Sequence, residues 1–380
     1  MINNPTYSQS ERVRTLAASY YTSEEVLQRE KYNLFFRYWQ FVGHTHELAE
    51  AGSYKTVSIF DQQLILTRTK EGEIKAYYNV CPHRGHPLVE KGKGTKRAFT
   101  CPYHAWTFAL DGKLLSGRGT KTQSSFDRSQ ICLFEVQVDF LVDFIFVNLD
   151  PDAQPLKEFY LGLEEQLLAA DPEIRSYVPY YRNEEGDSHG FTWQANWKVL
   201  IDNFLECYHC ENAHPSFSKK LCIPDTVREV HEHFTHEVTP LSPEPSDWTH
   251  PINLEYDTTE SHFWFLFPST AIGRAAGVPN FYISRFDPIS AEETSRAIIA
   301  IMPETLSDPD AKNRAKLRVE AGAVTGQEDK FLCESVQKGM HQIGFQQGWY
   351  INDPDAHNIS EHALRYFHDL YLEAMGEDGI

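Results

Sequence analysis

Two short cysteine–histidine pairs are the residues of this chain best suited to chemistry. Cys81-Pro82-His83 is followed, after seventeen residues, by Cys101-Pro102-Tyr103-His104. Each half offers one thiolate and one imidazole on a short loop, so two such loops can converge on one metal centre. Two cysteines and two histidines also suit tetrahedral zinc. A zinc finger, however, groups its histidines on one helix. One Cys and one His in each half suits a [2Fe-2S] cluster, with both thiolates on one iron and both imidazoles on the other. Neutral imidazoles in place of anionic thiolates raise the potential of such a cluster.

A second pair, His209 and His214, follows Asn196-Trp197-Lys198 and precedes Pro215. The stretch 196–214 reads as one helix stopped by Pro215. Five residues correspond to roughly 140° on an ideal helix, so a shared metal requires a helix end or a distortion. Pro215 makes a distortion near His214 plausible. Two histidines and a carboxylate on one face of an iron leave positions open for O2 and substrate. Taken alone, two histidines at this spacing are as readily structural. Cys207 and Cys210 bracket His209 as C-x-x-C. Placed mid-helix, they read as buried small residues rather than a redox dithiol, which needs a helix N-terminus. Cys132, Cys222 and Cys333 read the same way.

The two halves of the first motif, extended to Cys81-Pro82-His83-Arg84-Gly85 and Cys101-Pro102-Tyr103-His104-Ala105-Trp106, resemble the Rieske domain of ring-hydroxylating-type oxygenases. The run from Asn196 to Pro215 resembles the catalytic motif of the same family. The resemblance covers nearly the whole chain. It implies a Rieske [2Fe-2S] cluster on Cys81, His83, Cys101 and His104, with Arg84 and Trp106 beside it. It also implies a mononuclear Fe(II) on His209, His214 and a distant Asp. Asp329 fits that third position best. Its neighbour Glu328 could replace it, or belong to a solvated helix face. Many members carry an Asp three residues before the first histidine ligand, bridging to a Rieske histidine of the next subunit. Here that position is Glu206, which implies a His104–Glu206–His209 route in a homotrimer. Asp202 and Asn203 are further candidates near the iron.

Glu206, the segment 334–339 and Ile359-Ser360-Glu361-His362 resemble the carnitine and betaine oxygenases. This implies a quaternary ammonium or N-methylated substrate, hydroxylated next to nitrogen so that the C–N bond splits. An aromatic-ring oxygenase or demethylase using the same two sites is the nearest alternative. A Rieske electron carrier without oxygenase chemistry is the alternative of another class. Aromatic faces hold quaternary cations best. Phe204, Tyr208 and Trp264 are the candidate substrate residues, although strand alternation sends Trp264 to one face and Phe263, Phe265 and Phe267 to the other. Arg274 and Arg285 are candidates for a substrate carboxylate. No Gly-rich dinucleotide fingerprint is present. Electrons from NAD(P)H are therefore expected through a separate flavin/iron–sulfur reductase.

These residues need elements to hold them. From about 52 to 150 short β-branched runs alternate with turns, as in 55–60, 63–69 and 74–79, and 140–147 reads as a strand. A boundary falls near Asp150-Pro151. A helix is expected over 156–170, strands over 262–267, 280–286 and 295–302, and helices over 309–323, 327–341 and 361–374. Residues 5–50 look mixed helical, with a helix start at Thr22-Ser23-Glu24-Glu25. The expected class is α+β: an all-β Rieske domain, then a helix-grip-like catalytic domain with an antiparallel sheet and flanking helices. The expected partition is 1–40, an N-terminal segment on the catalytic domain; 41–150, Rieske; and 151–380, catalytic.

Composition agrees with a two-domain enzyme. The 380 residues are 41% hydrophobic and carry a net charge of −19, which argues against nucleic acid as a partner. No run is apolar enough to span a membrane, and a cytoplasmic location is expected. Residues 84–128 nevertheless hold nine Lys or Arg against three acids, a local +6 that could steer an acidic partner.

Overall fold

The computed structural model describes residues 13–121, 127–180, 191–244, 248, 250–306, 308–352 and 359–377. Residues 5–12 of the expected helical N-terminal region therefore lie outside the described part.

A seven-stranded antiparallel sheet forms the first half. Its order is Gln40–His44, Phe144–Asn148, Glu135–Leu141, Ile74–Tyr78, Gln62–Arg68, Ser53–Ile59, Lys93–Thr95. The stretch 140–147 is not one strand. It spans the end of one strand, the turn at Val142-Asp143 and most of the next, with Leu141 facing Phe144 and Val142 at φ +54°. Asp143, the polar break in that run, sits in the turn. A small three-stranded sheet, Phe99–Thr100, Thr107–Phe108 and Leu114–Ser116, carries the second Cys/His loop. Cys81, Cys101, Trp106 and Phe108 share a compact core with Tyr77 and Phe99.

The second half is built on an eight-stranded antiparallel sheet. Its order is Tyr177–Tyr180, Glu293–Pro303, Phe281–Ser290, Thr270–Arg274, Glu260–Leu266, Phe234–Pro240, Val227–Val230, with Phe191–Trp193 also pairing with Glu293–Pro303. Alternation along these strands gives two faces with different duties. One face presents Phe265, Ala271 and Phe286 to Trp197, Val199, Leu200 and Phe367 on the helices. The other buries Trp264, Ile272, Phe281 and Ile283 against Leu156, Leu163 and Leu167, and against Phe41 and Phe146 of the first sheet.

Three helices lie over the first face. The ligand helix runs from Trp197 to Phe204, the long helix from Ala311 to Met340, and the C-terminal helix from His362 to Ala374. The two helices expected over 309–323 and 327–341 are one, because Gly322 and Gly326, at about 1 kcal/mol each, weaken a helix without ending it. The helix expected over 156–170 is instead interrupted. Gly162 takes φ +88° and separates Leu156–Phe159 from Leu163–Ala170. In the N-terminal region Ser23 caps Glu24–Glu30, accepting from the Val26 amide at 3.3 Å, but the strands Arg14–Ala17 and Gln40–His44 flank it. Among the described residues no helix is long and apolar enough to cross a membrane.

Candidate metal centres

The two Cys/His loops are copies of one turn. Gly85 N–H donates to Cys81 O at 2.9 Å, and Ala105 N–H to Cys101 O at 3.0 Å. Cys81 N–H donates to His86 O at 2.9 Å, and Cys101 N–H to Trp106 O at 2.8 Å. Gly85 and Ala105 both sit at positive φ, +75° and +55°. Alanine pays for that conformation in sterics, and the matched turn holds it there. The two loops thus present the same atoms in the same order. Both cysteines are buried, His83 is exposed and His104 half-buried. The imidazole rings stand 4.7 Å apart, and His83 stacks on Trp106 at 4.6 Å. Arg84 lies over the Tyr103 ring at 5.4 Å. A thiol pair facing inward and an imidazole pair facing outward fit a cluster with one sulfur-ligated and one nitrogen-ligated iron.

The second centre is assembled from distant sequence. Asn196 caps the ligand helix, accepting from the Lys198 amide at 3.0 Å. Its own N–H donates to Gln337 Oε1 of the long helix at 2.9 Å. Trp197 through Ile201 are buried. The helix ends at Phe204, so the single helix expected over 196–214 is broken. Glu206 fills the break: its carboxylate accepts the Tyr208 and His209 amides. Residues 210–213 form one further turn, and His214 is non-helical at φ −123°, ψ 67°. A residue before proline avoids the helical region, and Pro215 then opens the helix Pro215–Lys220. The break brings together two rings that an unbroken helix would hold apart.

His209 Nε2 and His214 Nε2 approach to 3.1 Å. Asp329 Oδ1, from the long helix, lies 2.9 Å from His214 Nε2 and 3.6 Å from His209 Nε2. The ligand atoms of these three residues all lie within 4.8 Å of one another, close enough to share one ion. Each ring is held at its other nitrogen by a glutamate, His209 Nδ1 by Glu206 at 2.5 Å and His214 Nδ1 by Glu328 at 2.8 Å. Such carboxylates orient metal-binding imidazoles and raise their basicity. Glu328 thus faces His214 Nδ1 and not the three converging atoms, while its side chain stays about 31% exposed. Burial works against charge on His209, yet hydrogen bonds to Asp329 and Glu206 hold its pKa up at about 9. Burial raises Asp329, but its two histidine hydrogen bonds bring it down to about 2. Three carboxylates around two imidazoles make a pocket that favours a cation, which is what Fe(II) supplies.

The other candidates divide. Asn203 Nδ2 lies 3.3 Å from His209 Nε2, at the metal side. Asp202 does not join the ligands. It accepts from Tyr21 O–H at 2.7 Å and from His368 at 3.0 Å, in a network tying the N-terminal segment to the C-terminal helix. Phe204 meets Phe263 edge-on at 6.3 Å. Tyr208 is exposed. Trp264 lies on the wrong face for a substrate residue: it is fully buried, stacked on His236 at 4.6 Å, with Nε1–H donating to Gln166. Arg274 and Arg285 are on that same far face. Arg274 lies 3.6 Å from Asp171, and Arg285 binds Asp287 and the Phe41 carbonyl. Cys207 and Cys210 are buried as expected, but their mid-helix placement as unbonded residues is corrected. They form a disulfide around His209, because the helix break turns both side chains toward each other. Cys333 is buried as expected, whereas Cys132 is exposed and Cys222 half-buried.

Sequence reasoning passed over Glu328 as a partner, and also Tyr282 and Gly273. A Cβ on Gly273 would stand 2.2 Å from the Tyr282 ring, so the glycine lets that ring lie flat across its strand toward Phe263, its cross-strand partner. The signal available was parity: Phe263, Gly273 and Tyr282 share the face that carries the ligand helix.

Fold and site together define an iron redox enzyme with an electron-storing cluster and a separate oxygen-activating iron. Residues 38–127 match the Rieske [2Fe-2S] domain, and residues 176–377 the catalytic domain of the ring-hydroxylating alpha subunit. The chain is 33% identical over 365 residues to the carnitine monooxygenase oxygenase subunit of Escherichia coli (strain K12), covering 95% of this chain and 94% of that one. It is 35% identical over 209 residues to the glycine betaine monooxygenase oxygenase subunit of Chromohalobacter salexigens, covering 54% and 44%. The crystal structure of a quaternary ammonium Rieske monooxygenase superposes with TM-score 0.83 at 30% identity, over 95% of each chain. Naphthalene 1,2-dioxygenase from Rhodococcus shares the fold, with TM-score 0.80 at 18% identity. The chain belongs to the Rieske-type ring-hydroxylating oxygenase alpha-subunit family, and it is an oxygenase component that carries a Rieske cluster and a mononuclear iron.

Proposed function

We propose that this chain oxidises a quaternary ammonium or N-methylated substrate of the carnitine and betaine kind, at a carbon next to nitrogen. The observation that carries the reading is the pairing of a two-histidine, one-carboxylate site with an aromatic wall on the same sheet face. Phe204, Phe263 and Tyr282 offer ring faces of the kind that hold quaternary ammonium, and the relatives named above as carnitine and glycine betaine monooxygenases act on such molecules. The same wall could also take an aromatic ring. The converging triad argues against a pure electron carrier, which has no use for it.

In this reading Cys81 and Cys101 hold one iron of the cluster, and His83 and His104 the other. His209, His214 and Asp329 hold the mononuclear iron, which supplies O2 activation when bound. Glu206 and Glu328 fix the tautomers of the two histidines, so that each Nε2 lone pair points inward. Glu206 would also accept a bond from His104 of a neighbouring copy, closing the electron path between centres in a homotrimer. The ring contacts of His104 within the chain are with His83 and Tyr103, inside its own loop pair. An apolar groove of about 730 Å³ beside Glu328, lined by Ala213, Val324 and Phe331 among others, suits packing against such a copy.

The proposed partition follows the sequence: 1–40 as a brace on the catalytic domain, 41–150 Rieske and 151–380 catalytic. A separate NAD(P)H-dependent flavin/iron–sulfur reductase would supply two electrons per turnover, in the cytoplasm. Arg84, Lys91, Lys93, Lys96, Arg97, Lys113, Arg118 and Lys121 are all exposed, and would steer an acidic partner toward the cluster. With two electrons and two protons, O2 yields one water and one hydroxylated carbon. The hydroxyl on a carbon bound to cationic nitrogen then loses its proton to solvent as C=O forms, and the C–N bond breaks with its electron pair going to nitrogen, releasing a neutral amine and an aldehyde.

The test is a substrate screen of the iron-loaded protein with a reductase. L-carnitine, γ-butyrobetaine, glycine betaine and choline are compared with aromatic acids, following O2 uptake and aldehyde release. Aldehyde from at least one ammonium compound is expected. Turnover of aromatic acids alone would overturn the reading.

A further inference from the structure

Arg296 has no place in the chemistry described so far. It lies on the strand Glu293–Pro303, opposite Phe286 on the neighbouring strand, and so on the sheet face that bears the ligand helix. Its guanidinium lies over the Phe286 ring at 5.1 Å. Nη2 donates to Ser284 Oγ at 3.3 Å, while Nε is buried without a hydrogen-bond partner. Ser284 stands two residues from Tyr282 on the same strand and the same face. The guanidinium therefore reaches from Phe286 toward the aromatic wall.

Arginine has five N–H donors in a flat fork. One weak bond to a hydroxyl leaves that fork largely unused. Among the described residues no carboxylate pairs with it; Tyr282 and Asp329 act on it only through space. Burial disfavours its charge and pushes its pKa down. A half-buried cation with no carboxylate partner among the described residues is costly, and the cost falls when an anion arrives. A carboxylate is the anion whose geometry matches the fork. The other cations nearby are differently engaged. Lys220 donates to the Ala276 carbonyl at 3.0 Å and lies 3.2 Å from His250 Nε2. Arg314 is paired with Asp257 and Asp308. Arg228, on the same face, is bonded to Glu237.

We infer that Arg296 is the receptor for a substrate carboxylate, so that the site selects zwitterions carrying both a quaternary nitrogen and a carboxylate over cations that carry none. The inference rests on the quaternary-ammonium reading above and narrows it. The nitrogen lies on Phe204, Phe263 and Tyr282; the carboxylate lies on Arg296 beside Ser284. Sequence reasoning sought this cation at Arg274 and Arg285. Both are on the far face, at positions of opposite parity, and both already have carboxylate partners.

The test is calorimetric binding to the full-length iron-loaded protein under anaerobic conditions, with L-carnitine, γ-butyrobetaine, glycine betaine and choline as probes. The wild type is expected to bind at least one zwitterion about 10-fold or more tightly than choline. Arg296→Gln is expected to weaken that zwitterion by about 10- to 100-fold, the range of a charged hydrogen-bonded contact, and to change choline by less than about twofold. Arg296→Lys should recover part of the loss. Cluster absorbance and iron content report whether each variant is folded and loaded. Retained discrimination in Arg296→Gln overturns the inference and passes the role to Arg318, which also acts on Tyr282. Equal weakening of choline and zwitterions overturns it too, by showing a general structural role. A wild type that binds choline as tightly as every zwitterion overturns the inference alone. A wild type that binds none of the four overturns the substrate reading beneath it.

Discussion

The two iron centres are built in opposite ways. The cluster loops lie within 24 residues, from Cys81 to His104, and repeat one hydrogen-bonded turn. The residues proposed for the mononuclear site span 120 positions, from His209 to Asp329, and their convergence depends on a helix break and on the docking of a 30-residue helix. The cluster's imidazoles face outward. His214 is buried, and each ligand histidine is tied to a glutamate. A site made from a local turn survives damage to the distant core. A site made across a core does not.

The largest effect should come from the ligands themselves. His214→Ala should lower iron from three to two per chain, keep the cluster absorbance, and reduce turnover by about 10³-fold or more. Cys101→Ser should do the reverse, losing the cluster and keeping the mononuclear iron. Iron analysis with optical spectra checks both. Loss of both centres in either variant would break the contrast drawn above.

The next effect concerns the core behind the second site. Glu30 is fully buried and accepts from Lys198, Trp197 Nε1 at 2.8 Å and Tyr371 O–H at 2.7 Å. Removing one partner of a buried pair strands the other charge and costs about 3–5 kcal/mol. Glu30→Ala should therefore destabilise the catalytic half by that amount in denaturant melts, with the cluster signal melting later than the catalytic half.

Smaller still is the loss from the glutamates that hold the histidines. Glu328→Gln should weaken mononuclear iron affinity by about 10- to 100-fold and leave the cluster untouched. Chelator competition measures this. An unchanged affinity would show that His214 needs no carboxylate partner.

The smallest effect is a difference in acid sensitivity. Burial lowers the pKa of His236 to about 3, and of His250, His262 and His362 to about 4, all in the catalytic half. In the Rieske half His44 behaves likewise, at about 4. These rings stay neutral in the folded chain, while the unfolded chain takes up protons near pH 6.5. The unfolded state thus binds more protons between about pH 6.5 and 4, and stability falls as pH drops through that window. With four such rings against one, the catalytic half should lose more melting temperature between pH 7 and 5. Equal losses followed by circular dichroism and cluster absorbance would remove this part of the comparison.

Residue types and spacing pointed to the first centre, and the family resemblance named its ligands. A turn that places a Cys and a His is local, so Cys81, His83, Cys101 and His104 were legible before any fold was known. The strand pattern and the α+β class were legible too, because alternation and turn residues act over a few positions. His209 and His214 were visible as a pair whose spacing an unbroken helix could not satisfy. Tertiary structure decided how that conflict was resolved. The helix ends at Phe204 and Glu206 accepts the Tyr208 and His209 amides beyond it, Cys207 and Cys210 close into a disulfide, and the long helix brings Asp329 and Glu328 to the rings. It also decided which face of the large sheet meets the iron, which excluded Trp264, Arg274 and Arg285 and brought forward Phe263, Tyr282 and Arg296. A strand's sequence states only that its side chains alternate. Which of the two sets faces the chemistry depends on the layer packed above it, and that layer comes from residues a hundred positions away.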